Sequence, residues 1–249
     1  MSKLQFLIII SEDTMIKYVL FDLDGTLIHF DHTEFLSRYM HLLGNKVSSL
    51  TEPKLFVSHV MNATQQMIQN LDGTKTNAEV FWEHLNKNID LPSEKLLPVL
   101  ESFYTDDFNQ LSYIAKETTA KQILHKLLQK NIPLILATNP LFPLKAVHSR
   151  LSWGKLHDIP FKLITSYETS HFCKPNIEYY QEIVEKLGCS PRECLMIGND
   201  VKEDLIAGKL GIKTYLVTDT IINTENLAIT ADYSGSLLDL HSHIDSILA

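Results

Sequence analysis

Residues 18–26 of the chain form the stretch YVLFDLDGT, a short apolar run that ends in two aspartates, a glycine and a threonine. A continuous apolar run of this length is typical of a strand buried on both faces of a parallel sheet. The acidic, glycine-containing end predicts a turn at the carboxyl end of that strand, where open α/β sheets form their sites. We therefore expect Asp22 and Asp24 to place two carboxylates at one edge of a sheet.

Later parts of the chain repeat this pattern of an apolar run followed by small or polar residues, at 134–137, 162–164, 194–197 and 214–217. Between these runs, residues 118–130 and 176–187 carry apolar side chains at helical spacing, and Gly188 is a suitable C-terminal cap. The alternation predicts an α/β fold, a Rossmann-like parallel sheet core with helices on both faces.

One long segment breaks the alternation, because it contains no strand-like run. It predicts four helices, at residues 31–43 (closed by Gly44), 51–71, 77–88 and 93–108. Pro53 fits a first helical turn, whereas Pro98 is expected to kink the last helix.

The sequence thus predicts two domains. Residues 1–30 and 112–249 are expected to form the α/β core, and residues 31–111 an inserted all-helical cap. Hinges are expected where the two meet, near Phe30 and Ser112.

Composition and charge limit the classes of partner. The chain has 249 residues, of which 45% are hydrophobic and 21% charged, so bulk disorder is excluded. The net charge of −8 argues against nucleic acid, and no apolar run reaches the roughly 20 residues of a membrane span. The three cysteines match no zinc-ribbon or CxxC spacing and indicate reduced thiols in a cytoplasmic protein.

The amino-terminal residues have two open interpretations. The apolar run Leu7–Ile10 is too short for a signal-peptide core, and no small-residue cleavage site follows it. It is either an added strand or extension, or Met15 is the translation start, since the first strand signal begins directly after that residue.

The polar residues at the predicted strand ends and in the loops between them suit phosphoryl transfer. They comprise carboxylates, a lysine and a threonine. Of Asp22 and Asp24, one can attack an electrophile or bind a hard cation, and the other can handle protons. Two carboxylates in one dry site repel each other, so a cation is needed, and Asp200 can complete an oxygen-rich Mg²⁺ site. Lys174 supplies positive charge and Thr138 a hydroxyl donor for phosphoryl oxygens.

The same residues resemble the signatures of the haloacid dehalogenase superfamily. Residues 22–27 (DLDGTL) resemble its first motif, and residues 138–139 and 174–175 resemble the second and third. Residues 198–200 with Asp204 resemble the fourth, and the order along the chain is the same. The predicted helical insert is similar to the cap that the family places after its first motif.

This resemblance implies a phosphatase of small phosphorylated metabolites, such as sugar phosphates, nucleotides or flavin-type phosphates. Asp22 would be the nucleophile and form a phospho-aspartyl intermediate. Asp24 would protonate the leaving group and then activate water. Lys174 would hold Asp22 and the phosphate, and Thr138 would bind the phosphoryl oxygens with help from Asn139.

The resemblance also implies Mg²⁺ as cofactor. The ion would bind Asp22, the backbone carbonyl of Asp24 and Asp200, whereas Asp204 would orient Lys174 or its loop. Many relatives carry an acid at the position of Asn199, whose amide can still donate a neutral oxygen to the metal.

Several alternatives remain open at this stage. A phosphomutase would carry the same four motifs, whereas a dehalogenase does not need the second acid, Asp24. The first motif and the insert argue against a phosphate-accepting signalling module, and the intact site residues argue against a non-catalytic phosphate-binding protein. His29, Phe30 and His32 either line the mouth of the pocket or pack at the hinge. The aromatic pairs at 81–82 and 103–104 are interpreted as core residues of the cap rather than as substrate contacts.

Overall fold

The structure, a computed structural model, describes residues 15–248 and contains a six-stranded parallel sheet. Both interpretations of the amino-terminal run concern residues that lie outside this range. The strand order is β3-β2-β1-β4-β5-β6, with β1 and β4 at the centre. The strands are β1 (Tyr18–Phe21), β2 (Leu134–Leu136), β3 (Leu163–Ile164), β4 (Cys194–Gly198), β5 (Lys213–Val217) and β6 (Tyr233–Gly235).

Alternate side chains of each central strand enter two different apolar clusters, as a period of two requires. Val19 and Phe21 of β1 belong to the larger cluster, together with apolar residues of α5 (Ala120–Gln129) and α8 (Leu237–Leu248). Leu20, between them, belongs to the cluster on the opposite face, with α7 (Ile177–Leu187). Helices therefore cover both faces, and the predicted α/β fold is confirmed.

All helices of the segment between β1 and α5 follow one another without a strand. They are α1 (His32–Val47), α2 (Pro53–Gln69), α3 (Asn77–Asn88) and α4 (Ser93–Ser102), followed by a π-helical turn at Phe103–Asp107 and a 3₁₀ helix at Phe108–Ile114. The two connections to the sheet run side by side, because His29 and Lys116 exchange backbone hydrogen bonds of 3.3 and 2.8 Å. The entry and exit of the segment are thus joined at one point.

The predicted end of the first helix at Gly44 is wrong. Helix α1 continues to Val47, and Gly44 is a buried residue inside it. A Cβ atom on Gly44 would lie 3.3 Å from the Cβ of Pro53, so the glycine lets α1 and α2 approach closely. It is a packing residue and not a cap.

The prediction of one kinked helix over residues 93–108 is also wrong. Pro98 lies inside α4, but the α-helix ends at Ser102, before the predicted end at residue 108. The next turn is π-helical, with the Phe108 N–H bonded to the Phe103 carbonyl. This wider turn brings Phe103 and Phe108, both fully buried, within 6.3 Å between ring centroids. Aromatic packing thus changes the helix type.

Among the strands and α-helices of the sheet domain, β6, α8 and α6 (Leu144–Trp153) had no sequence prediction. β6 has three residues, two of them exposed, so it carries no apolar run. Within residues 15–248, no helix has the length and apolar character needed to cross a bilayer.

Candidate active site

The carboxyl ends of β1 and β4 open into a cavity of about 790 Å³. In this strand order, β2 follows β1 on one side and β5 follows β4 on the other, and open α/β sheets bind ligands at the crevice between two such strands. Seven of the eight residues singled out from the sequence line the cavity: Asp22, Asp24, Thr138, Asn139, Asn199, Asp200 and Asp204. The eighth, Lys174, contacts Asp22 directly.

The turn after β1 fixes the two aspartates of the first motif. The Asp22 N–H donates to the Ile197 carbonyl at 2.9 Å, which anchors the turn to β4. Gly25 has φ +92°, and a Cβ atom there would lie 2.4 Å from Nδ2 of Asn199. Only glycine fits this position, because both its φ angle and the nearby amide exclude a side chain.

Lys174 joins two of the carboxylates. It is fully buried, and its Nζ donates to Oδ1 of Asp22 at 2.9 Å and to Oδ1 of Asp204 at 2.6 Å. Burial alone would lower the pKa of Lys174, but Asp204 and Asp22 raise it well above its usual value. Burial raises the pKa of the Asp22 carboxyl, and the Lys174 ammonium opposes that shift. Lys174 therefore stays charged and favours the ionised form of Asp22.

Asp24 pairs with an arginine that the sequence analysis did not select. Oδ2 of Asp24 contacts Nη1 of Arg150, which lies in α6 and is 1% exposed. The guanidinium also lies 4.7 Å from the ring centroid of Phe142, which adds a cation–π contact. Oδ1 of Asp24 is buried and has no hydrogen-bond partner within residues 15–248. One oxygen of Asp24 is thus fixed, and the other remains for a further contact.

Asn139 links the loops that carry the acids and the lysine. Its Oδ1 accepts from the Lys174 N–H at 3.2 Å, and its Nδ2 donates to Oε2 of Glu203 at 3.0 Å. The neighbouring Thr138 is 2% exposed, and its carbonyl accepts from Thr165 and Tyr179 hydroxyls at 2.7 and 2.9 Å. These bonds fix the end of β2 beside the cavity.

Glu203 is a further acid of the site. Burial raises the pKa of Glu203 to about 7, with Lys174 opposing the shift and Asp204 and Asp200 adding to it. Glu203 lies in sequence between Asp200 and Asp204, two acids selected from the sequence. That position was the available signal for a further site residue.

Asn199 does not present a free amide to the cavity. Its Oδ1 accepts from Oγ1 of Thr26 at 3.1 Å, and its Nδ2 donates to the Thr220 carbonyl at 2.7 Å. These two hydrogen bonds hold the first-motif turn against the loop after β5. The role of Asn199 as a neutral metal ligand stays a prediction, since its Oδ1 keeps a second lone pair and the residue lines the cavity.

The oxygen atoms at the acidic end of the cavity are candidate ligands for a divalent cation. No group of three or more His, Cys, Asp or Glu side chains within residues 15–248 is arranged as a metal cage. Asp22 and Asp200 both line the cavity, and Asp200 uses Oδ1 to accept from the Lys202 and Glu203 N–H groups at 2.8 and 2.9 Å. Two carboxylates and a backbone carbonyl suit Mg²⁺, which usually keeps waters and substrate oxygens as its other ligands. The residues therefore fit this ion.

Beyond the acidic end, the cavity wall is mostly apolar. Of the two aromatic pairs assigned to the cap core, Phe81, Trp82 and Tyr104 line the cavity, whereas Phe103 is buried away from it. His32 is also part of the wall. All four residues pack in or against the apolar core as expected, and α3 and the π-helical turn also present Phe81, Trp82 and Tyr104 to the cavity.

Comparison with known proteins gives a family for this site. Residues 16–211 match the family model described as haloacid dehalogenase-like hydrolase. The match spans β1 to the end of the 3₁₀ helix after β4, and it includes every residue selected above. The chain belongs to the haloacid dehalogenase-like hydrolases.

Individual relatives within this family are distant. The pyrophosphatase PpaX of Bacillus mycoides is 24% identical over 236 residues, which cover 94% of this chain and 97% of that enzyme. A predicted phosphoglycolate phosphatase from Haemophilus somnus is 16% identical, with a TM-score of 0.56 and coverage of 95% and 99%. The L-2-haloacid dehalogenase of Xanthobacter autotrophicus is 17% identical, with a TM-score of 0.55 and coverage of 94% and 100%. Proteins described as phosphatases and as dehalogenases thus share this fold, so the fold alone does not distinguish the two reactions.

Proposed function

We propose that this haloacid dehalogenase-like hydrolase is a Mg²⁺-dependent phosphatase that hydrolyses a small phosphorylated compound through a phospho-aspartyl intermediate. The observation that carries the proposal is the pair of first-motif carboxylates, each held by its own buried cation. Lys174 holds Asp22, and Arg150 holds Asp24. A dehalogenase has no need for a second, separately held acid, so the pair favours phosphoryl transfer.

Asp22 is the nucleophile in this proposal. One carboxylate oxygen attacks phosphorus as the bond from phosphorus to the leaving oxygen breaks, and the acyl phosphate forms. Oδ1 of Asp22 accepts a hydrogen bond from Lys174, so Oδ2 is the oxygen that attacks phosphorus. Thr138, at the end of β2, supplies a hydroxyl donor to the phosphoryl oxygens, and Asn139 keeps the Lys174 loop beside it.

Asp24 transfers the protons. In the first step it gives a proton to the leaving oxygen, and in the second it takes one from the water that attacks phosphorus. That water releases inorganic phosphate and restores the Asp22 carboxylate. Because Arg150 contacts Oδ2, the proton is carried by Oδ1, the buried oxygen without a partner.

Charge balance is the reason for a cation. Five carboxyl groups meet at this end of the cavity, from Asp22, Asp24, Asp200, Glu203 and Asp204, against the two cations Lys174 and Arg150. A phosphate dianion would add to the excess of negative charge. Mg²⁺, held by Asp22, Asp200 and the backbone carbonyl of Asp24, would neutralise that charge when bound.

Residues 31–111 are proposed to act as a cap over the core formed by residues 1–30 and 112–249. The N-terminus of α3 contacts the core loop before Lys174, where Asn77 N–H donates to the Ser170 carbonyl and Ala78 N–H to the Tyr167 carbonyl, both at 2.8 Å. The paired connections at His29 and Lys116 allow this segment to move as a unit and to exclude water from the site.

Phosphate release from p-nitrophenyl phosphate, with and without Mg²⁺, tests the proposal. We expect turnover only with the ion and none in Asp22→Asn, whereas Asp158→Asn, an exposed carboxylate paired with Lys121, should match the wild type. Chloride release from 2-chloropropionate without phosphatase activity would show a dehalogenase instead. Transfer of the phosphoryl group between positions of a sugar phosphate, without hydrolysis, would show a phosphomutase.

A further inference from the structure

The cavity extends well beyond the space that a phosphate group needs. Its volume of about 790 Å³ lies in the range of roughly 300–1,000 Å³ that holds drug-sized ligands. The acids and Thr138 occupy one end, at the sheet edge. The remainder lies between that edge and helices α1 to α4, and it receives whatever is attached to the phosphate.

That remainder is lined by apolar side chains from both the helical segment and the sheet domain. Phe35, Phe56 and Trp82 contribute from the helices, and Leu141, Phe142 and Ile222 from the other side. Phe56 is fully buried although it lines the cavity, so this part of the wall is a packed apolar surface. Water in such a space is displaced most favourably by an apolar group.

Three hydroxyl groups on this part of the wall are already paired within the protein. The hydroxyls of Tyr39 and Tyr104 bond each other at 2.8 Å, and the Thr64 hydroxyl donates to the Val60 carbonyl at 2.9 Å. A sugar would need free donors and acceptors for its hydroxyls. With these hydroxyls taken, the described residues leave few polar side chains on this part of the wall apart from the charged ones, Gln65 and His32 among them, for the several hydroxyls of a sugar phosphate.

Charge on the wall disfavours a second phosphate or carboxylate. Among the described residues that line the cavity, Lys145 is the sole lysine or arginine apart from the acidic end, and its Nζ donates to Oγ1 of Thr105 at 2.7 Å. Glu101 lies on the same wall. Pyrophosphate or phosphoglycolate would place its second anionic group in a mostly apolar space, where Lys145 is the single cation and Glu101 an opposing carboxylate.

We infer that the substrate is a phosphate monoester of a bulky, uncharged and largely apolar alcohol, whose organic group fills the aromatic part of the cavity. That the ligand is hydrolysed rests on the proposed function, whereas the binding of a ligand of this class does not. It departs from the substrates named for the relatives, and from the sugar phosphates and nucleotides that the family resemblance suggested.

A series of n-alkyl phosphates tests the inference, because ethyl, hexyl and decyl phosphate have leaving groups of the same basicity. Below their micelle concentrations, kcat/KM should rise about two- to fourfold per methylene until the cavity is filled. Decyl phosphate should then exceed ethyl phosphate by about 100-fold or more, and it should also exceed pyrophosphate and phosphoglycolate. A flat series, or highest activity on pyrophosphate or phosphoglycolate, would overturn the inference.

Variants of the wall provide the matched control. Met61 and Leu97 line the cavity but are 43% and 47% exposed, so Met61→Gln with Leu97→Gln should fold normally. The decyl-to-ethyl ratio should fall about tenfold in this variant. It should stay unchanged in Leu55→Gln with Leu71→Gln, two exposed leucines that do not line the cavity. Equal ratios in the two variants would overturn the assignment of the wall.

Binding of n-alkylphosphonates, which cannot be hydrolysed at the P–C bond, separates the inference from the proposed function. Calorimetry should show affinity that rises with chain length and a negative heat-capacity change. If phosphonates bind in this way but no ester releases phosphate, the proposed function fails and the apolar ligand class stands. If phosphate is released but phosphonate affinity does not depend on chain length, the proposed function stands and the ligand class is wrong.

Discussion

At the residue scale, Asp22 and Asp24 have separable chemical roles, and an amide substitution distinguishes them. Asp24→Asn removes proton transfer but keeps the side chain's size and the backbone carbonyl offered to Mg²⁺. With p-nitrophenyl phosphate, a good leaving group, the first step needs little acid. We expect a rapid burst of p-nitrophenol and then a slow phase, reduced roughly 10²–10⁴-fold, in rapid mixing.

Asp22→Asn is the control for this experiment, because it removes the nucleophile and should give neither burst nor turnover. Equal thermal midpoints in the two variants would show that both fold alike. Wild-type turnover in Asp24→Asn, or a burst in Asp22→Asn, would contradict the assigned roles.

Arg150 is expected to matter for both stability and rate. Arg150→Met keeps an apolar stem against Phe142 but leaves Asp24 without its buried cation, and breaking a buried pair typically costs about 3–5 kcal/mol. Asp24 is 19% exposed at its side chain, which favours the lower end of that range. Urea unfolding of the two proteins measures the difference, and the rate on p-nitrophenyl phosphate should fall as Asp24 loses its orientation.

A double variant checks that the loss comes from the pair. In the Arg150→Met background, Asp24→Asn should lower stability less than it does in the wild type, because the partner charge is already absent. Strictly additive losses would show that Arg150 acts through packing alone.

Contacts between site residues were predictable from the sequence only where the residues are close together along the chain. Asp22, Asp24 and Gly25 follow a strand directly, and the chemistry of their spacing is local. Arg150 lies 126 residues from Asp24 in sequence, and in α6 it is an ordinary position beside Val147 and Leu151. No local pattern distinguishes it from a solvated arginine, so only the fold reveals the pair.

At the element scale, the end of α7 offers a test of backbone conformation. Gly188 adopts φ +63° at the C-cap, as the sequence predicted, and no atom lies within 4 Å of a Cβ built there. Gly188→Ala should therefore destabilise by about 1 kcal/mol through backbone strain alone. For a chain of this size, that lowers the thermal midpoint by about 2–4 °C.

Gly208 is the matched glycine, in the 3₁₀ helix Leu205–Leu210. Its φ is negative, and a Cβ atom there would meet only Cγ2 of Thr214 at 3.8 Å, an ordinary contact. Gly208→Ala should leave the midpoint unchanged or raise it slightly, because it reduces the entropy of the unfolded chain. A similar decrease in both variants would mean that lost flexibility, and not the φ angle, is the cause.

Elements with a clear period were predictable, and those shaped by packing were not. The central strands and α7 follow from apolar runs and helical spacing. The π-helical turn depends on where Phe103 and Phe108 are buried, and the continuation of α1 through Gly44 depends on the approach of α2. Both are set by tertiary contacts that a single segment does not encode.

At the scale of the whole molecule, negative charge is concentrated at the site. The chain carries a net charge of −8, and five of its carboxyl groups meet at one end of the cavity. A protein with this balance would repel a phosphate ester unless a local cation offsets the field. The family resemblance implied Mg²⁺ from sequence, but the excess of carboxylates over Lys174 and Arg150 could be counted only in the folded chain.

Removal of divalent cations should therefore abolish turnover. EDTA should stop phosphate release, and added Mg²⁺ should restore it. Asp200→Asn should raise the Mg²⁺ concentration for half-maximal activity by about tenfold or more, whereas the exposed Asp158→Asn should not change it. Because an ion that binds only the folded state stabilises it, Mg²⁺ should raise the unfolding midpoint of the wild type more than that of Asp200→Asn. Full activity in EDTA, or equal midpoint shifts in these two proteins, would show that the acidic end holds no catalytic metal and that Lys174 and Arg150 alone offset the phosphate charge.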